Sequence, residues 1–165
     1  MAVLLSSIVN AVDVGYLQLT DVQLSSFLHA LSWHMGGSTD DVDGFVVGES
    51  NQEAGTLTVY WVKGNALGSL TVTRPPEGSS AQPPIDGWMR SLKKVQKLDL
   101  TVDVRSDQFT NEKDVRPGVR VHFRDLEQPI EVSASELPNQ KARDEVAKFI
   151  KHLRNMLSGG DVLAD

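Results

Sequence analysis

Cysteine is absent from all 165 residues. Disulfides, thiolate metal sites and cysteine nucleophiles are therefore excluded together. The absence fits a reducing compartment, and a cytoplasmic location is expected. Positive charge is also scarce at the start, where the first basic residue is Lys63. Residues 1–9 are apolar, but a secretory leader needs a basic segment ahead of its apolar stretch. Asn10 and Asp13 then break the run. This segment reads as part of the fold. No apolar run is long enough to span a bilayer. A Gly-x-Ser-x-Gly elbow, a Gly-x-Gly-x-x-Gly turn and a Walker loop are all missing. Serine-hydrolase chemistry and the common kinds of nucleotide binding thus lack support. No cofactor is expected, and no set of side chains marks an enzyme.

What is present is the composition of a globular protein, 40% hydrophobic and 23% charged. At this length one domain buries a core without staples, so a single domain over residues 1–165 is expected. The net charge of −6 is uneven: residues 1–89 carry two bases against nine acids, and residues 90–165 carry fourteen bases against thirteen acids. An acidic first half argues against general nucleic-acid binding, which needs a basic surface.

The last third of the chain carries the clearest pattern. Val146, Phe149, Ile150, Leu153, Met156 and Leu157 form an apolar stripe, predicting an amphipathic helix over residues 139–157. Two β-like runs precede it, at residues 119–123 and 129–134. Near the other end, Thr20 with Gln23 has the form of a capping box. The helix it opens should end at Gly36-Gly37, with Leu24, Phe27, Leu28, Leu31 and Met35 on one face. Val22 and Trp33 lie off that face, predicting burial on more than one side. Residues 1–37 make an N-terminal helical segment, although periodicity does not choose between helix and strand for residues 1–12.

Between these helices the pattern is β. A meander of three strands is predicted within residues 45–73. Its strongest strand, residues 56–62, alternates Leu57, Val59 and Trp61 with Thr58, Tyr60 and Val62. Residues 75–87 hold four of the seven prolines and read as a loop. Trp88, Leu92 and Val95 recur at helical spacing, favouring a short helix over residues 86–97. Leu98, Leu100, Val102 and Val104 then alternate with polar residues as a half-exposed strand. Residues 106–117 are polar and read as a mobile loop.

Two features approach known chemistry. Thr39, Asp41, Asp43 and Gly44 fit positions 1, 3, 5 and 6 of a calcium loop. Position 1 is Thr, however, and position 12 is Ser50, so two ligands fail and no metal is expected. His29, His34, His122 and His152 lack zinc spacing and read as structural. The basic segment Arg90, Lys93, Lys94 and Lys97, beside Trp88, presents cations with an apolar edge. Such a surface suits phosphate groups, an anionic membrane or an acidic partner. Its plainer reading is the solvated face of a helix.

The strands at residues 45–73, 98–104, 119–123 and 129–134, closed by the helix at 139–157, resemble a pleckstrin-homology-like barrel. The resemblance implies an architecture only, since no motif carries that family's ligands to named residues here. The fold class expected is α+β: a twisted antiparallel sheet, or partly open barrel, of about six strands packed by an N-terminal and a long C-terminal helix. The function expected is a non-enzymatic module binding a protein or peptide through a sheet edge or the groove beside the last helix; self-association as a homo-oligomer is left open. Two alternatives stay open. One is a small-molecule site or enzyme cavity lined by Tyr60, Trp61 and Trp88. The other is membrane-surface binding through residues 90–97.

Overall fold

The computed structural model describes residues 8, 14–37, 42–106, 113–137 and 140–158. Ile8 is helical and fully buried, and the rest of residues 1–12 lies outside the described residues. Helix α1 spans Asp21–His34. At its start the Thr20 hydroxyl accepts from the Gln23 amide at 3.3 Å, and Gln23 Oε1 accepts from the Thr20 amide at 3.0 Å. Two donors that the first turn leaves without helical partners are satisfied in this way. At its end Gly36 and Gly37 adopt φ of 92° and 88°, and the Gly37 amide reaches back to the Ser32 carbonyl at 2.8 Å. Only glycine enters that conformation cheaply, so the chain turns off the helix axis here. Burial on more than one side does not occur. Phe27, Leu28 and Leu31 are buried, but Val22 is 69% exposed and Trp33 77% exposed.

The strands form two antiparallel sheets. In the first, β1 (Gly44–Asn51), β2 (Thr56–Lys63), β3 (Ala66–Thr73) and β4 (Ile85–Ser91) lie in sequence order. In the second, β5 (Val95–Ser106), β6 (Lys113–Phe123) and β7 (Ile130–Ser133) do the same. Helix α2 spans Gln140–Ser158. The architecture is thus α+β with a helix toward each end, as expected, and the described residues hold seven strands.

Two expectations are corrected here. The helix over residues 86–97 is instead β4, a single 3₁₀ turn at Leu92–Lys94, and the start of β5. Trp88, Leu92 and Val95 mimic helical spacing because a strand, a bend and a second strand each turn one residue inward. β4 also takes up Ile85 to Gly87, so the proline-rich loop ends earlier, at Pro84. Of the predicted loop at 106–117, residues 107–112 lie outside the described residues and the rest is strand: β6 begins at Lys113 and pairs Val115 with Val104, Asp114 with Arg105 and Arg116 with Asp103. Cross-strand pairs of opposite charge stabilise a ladder as apolar pairs do, and polarity alone does not reveal this.

The first sheet is covered on both faces. On one, Leu57, Val59, Trp61, Leu70 and Val72 pack with Ile8, Leu17 and the buried side of α1. On the other, Val46, Tyr60, Val62 and Leu67 pack with Val119, Val121, Val132 and the α2 stripe. Strands alternate their side chains, so a strand apolar on both faces needs a layer on each side. Burying one such aliphatic or aromatic side chain contributes about 1.5–3 kcal/mol. In α2, Val146, Phe149, Ile150 and Leu153 are buried as the stripe predicts, with Met156 and Leu157 half-buried beside them. The helix runs over β1, where a Cβ on Gly44 would stand 3.3 Å from the Phe149 backbone. β1 and β7 lie alongside each other, which leaves β4 and β5 as the outer strands of the two sheets. Among the described residues, no helix is long and apolar enough to cross a membrane.

Candidate functional site

Tyr60 and Trp61 are neighbours on β2 and so point to opposite faces. Trp61 is fully buried under α1. Its indole lies over Gly68, its cross-strand partner, and the His34 ring meets it edge-on at 6.3 Å. Tyr60 belongs to the other core, 6.4 Å from Trp88, which in turn meets Phe123 at 6.5 Å. The structure therefore joins Tyr60 to Trp88 and separates both from Trp61. Two surface grooves, of about 650 and 620 Å³, are lined by other residues. One lies between the β5–β6 ends and α2, with Arg105, Asp114 and Arg143. The other lies at Arg74, Pro75 and Pro84.

The basic segment is brought together, but most of its charge is met locally. Arg90 donates to Asp125 at 2.6 Å and Lys94 to the same oxygen at 3.3 Å. The Arg90 guanidinium also stands 5.2 Å from the Trp88 ring, a cation–π distance. Lys97 pairs with Asp99 at 2.8 Å. Burial pushes the Asp125 carboxyl up, but the hydrogen bond from Lys94 and the charges of Arg90 and Lys94 hold it below the ordinary value. Asp99 is likewise held low, first by the hydrogen bond from Lys97 and then by His122. Lys93 sits on the exposed 3₁₀ turn. What sequence reasoning missed is Asp125, which follows β6 and is distant in sequence from the cations that it neutralises.

Two of the histidines stand beside carboxylates. His122 Nε2 lies 2.9 Å from Asp99 Oδ2, and His152 Nε2 lies 3.5 Å from Asp43 Oδ2. Thr39 and Asp41 of the acidic loop lie outside the described residues. Asp43 accepts from the Gly64 amide at 2.7 Å and so ties the start of β1 to the β2–β3 turn. Among the described residues, no group of three or more acidic, His or Cys side chains could hold a metal ion.

The surface that stands out is the far half of the β5–β6 hairpin. The apolar face of β5 continues the core outward from Leu98, but no described residue buries it. Leu100 is 48% exposed, Val102 61%, Val104 52%, and Val115 on β6 56%. Register pairs Leu100 with Val119, Val102 with Pro117 and Val104 with Val115, so these residues share one face. Asp99, Asp103 and Arg105 lie on the opposite face with Arg120, Arg116 and Asp114. Among the described residues β5 is also an edge strand, bonded to β6 alone. Alternate amides and carbonyls along its outer side are open to another strand. A large exposed apolar strip beside an open edge is the usual mark of an interaction surface. The sequence signal was present in the alternation of residues 98–104, but it did not say which face is left open. No family model, curated protein or solved structure matches the chain.

Proposed function

We propose that the chain is a non-enzymatic protein- or peptide-interaction module that works through the outer edge of β5. The observation that carries this reading is the apolar strip of Leu100, Val102, Val104 and Val115 beside an edge strand twelve residues long. A strand added there gains main-chain hydrogen bonds from the edge and side-chain contacts from the strip, the combination used in β-augmentation. Seven strands followed by an amphipathic helix support the pleckstrin-homology-like reading of the architecture. The neutralisation of Arg90 and Lys94 by Asp125 favours the edge over the basic segment as the binding surface.

The test is selection of strand-forming peptides on the immobilised full chain, followed by binding to two variants. Val104→Lys is expected to weaken binding at least about tenfold, the effect of losing one good contact. Lys93→Glu with Lys94→Glu is expected to leave it unchanged. Binding that ignores the first change and follows the second would reverse the assignment.

A further inference from the structure

We infer that the occupant of the β5 edge is a second copy of this chain, paired antiparallel about a two-fold axis through Val102. The inference rests on the edge-binding reading above and names its partner. Two copies of one strand that pair antiparallel are related by an axis normal to the sheet, and that axis passes through a residue facing itself. Only a few centres are available on β5, and its charges discriminate among them.

Centring on Asp99 or Asp103 sets a carboxylate against its own copy. Centring on Thr101 sets Asp99 against Asp103 and Lys97 against Arg105. Like charges directly opposite destabilise a ladder. Centring on Leu100 places Val104 opposite Gln96, inside the register break between Val95 and Lys97. Centring on Val104 carries the ladder past Ser106, the last residue of β5. Centring on Val102 sets no like charges opposite: Asp99 faces Arg105 and Thr101 faces Asp103 on the polar face, twice each, although Asp99 also meets Lys97 and Arg105 also meets Asp103 and Glu136 within each copy. On the apolar face it sets Leu100 against Val104, also twice, with Val102 against itself. These three are the exposed apolar residues of β5. One register therefore satisfies both faces.

The same axis decides where the exposed half of the hairpin goes. Antiparallel pairing lays the far half of each β5 beside the near half of the other. Because the axis is normal to the sheet, both apolar faces point to the same side. The uncovered strip of one copy thus lies beside the uncovered strip of the other, and the two make one continuous apolar surface bounded at each end by Leu98, where the core begins. Two three-stranded sheets become one six-stranded sheet, and each copy loses an open edge.

The lack of cysteine makes the test direct. Val102→Cys is expected to cross-link to itself on mild oxidation, because facing positions fall within disulfide reach. Val22→Cys, exposed on α1, is expected to cross-link roughly tenfold more slowly or less, its copies being out of reach of each other. Leu100→Cys and Val104→Cys chains are expected to link when mixed. In sedimentation the full chain should approach twice its own mass as concentration rises. Val102→Lys and Val102→Asp should each be monomeric, and mixing them should restore a dimer.

A dimer that survives Val102→Lys overturns the register. So does a chain that is monomeric throughout, with Val102→Cys linking no faster than Val22→Cys. If that monomer still gains exchange protection along β5 from a library-selected peptide, self-pairing falls and the edge-binding reading stands. If it gains none, both fall.

Discussion

Single residues fix how closely the layers approach, and Gly68 is a clear case. A Cβ built there would stand 2.2 Å from the Trp61 indole, with two more ring atoms within 2.6 Å. Trp61 is fully buried, so the ring has nowhere to retreat without moving α1. Gly68→Ala is expected to cost about 1–3 kcal/mol by overpacking, read as a lower urea midpoint with an unchanged slope. Gly64→Ala, which meets nothing within 4 Å, tests conformation instead of contact, because its φ is 52°. Residue-scale features were legible where the signal is local. The Thr20–Gln23 box and the Gly36-Gly37 stop could both be read from spacing. The second role of Gln23 could not: its side-chain amide donates to the Ala81 carbonyl at 2.6 Å and ties α1 to the proline-rich loop. Nothing in residues 20–23 encodes a partner so far along the chain.

At the scale of elements, the charged side chains clasp strands to turns. Asp125 holds Arg90 of β4 and Lys94 of the following turn, and Asp99 of β5 meets Lys97 and His122. Both carboxyls are lowered in the folded chain from an ordinary value of 3.8. A depressed folded value means that the contribution is complete above the unfolded value and is lost as pH falls through the folded one. Stability should therefore hold steady down to about pH 5 and decline below it as these carboxylates are protonated. The urea midpoint followed against pH checks this, and Asp125→Asn should show a shallower decline. Both groups are well exposed, so the effect is modest. The elements themselves were partly legible. The α2 stripe and the β2 alternation read correctly because each repeats one period over many residues. β4 was missed because three inward residues on a strand, a turn and a strand fall at helical spacing. The start of β6 was missed because the strand it pairs with, residues 103–106 of β5, lies elsewhere in the chain.

Over the whole molecule the layers are unevenly distributed. β2 and β3 have a layer on each face, while Leu100, Val102, Val104 and Val115 of the β5–β6 hairpin stay exposed among the described residues. Local stability follows burial, so opening energies should span a wide range. Amide exchange on the monomeric Val102→Lys variant should be slowest at β2 and β3. Among strand amides it should be fastest between Leu100 and Ser106. Uniform protection along β5 in that variant would contradict this distribution. The expected site was only half legible for the same reason. Leu100, Val102 and Val104 announce an apolar face, but the sequence does not say how far the core beneath a strand extends. Here it ends near Leu98. Tyr60 and Trp61 gave the converse error, since adjacent aromatics on a strand covered twice belong to different interiors.

The uncovered end of the hairpin also separates two kinds of selection. A residue inside the layers answers to every neighbour that it touches, and its replacement risks the fold. The side chains of Leu100, Val102 and Val104 stay largely exposed within their own chain. Their chemistry can drift, and with it the choice of companion strand, while the scaffold behind them stays intact.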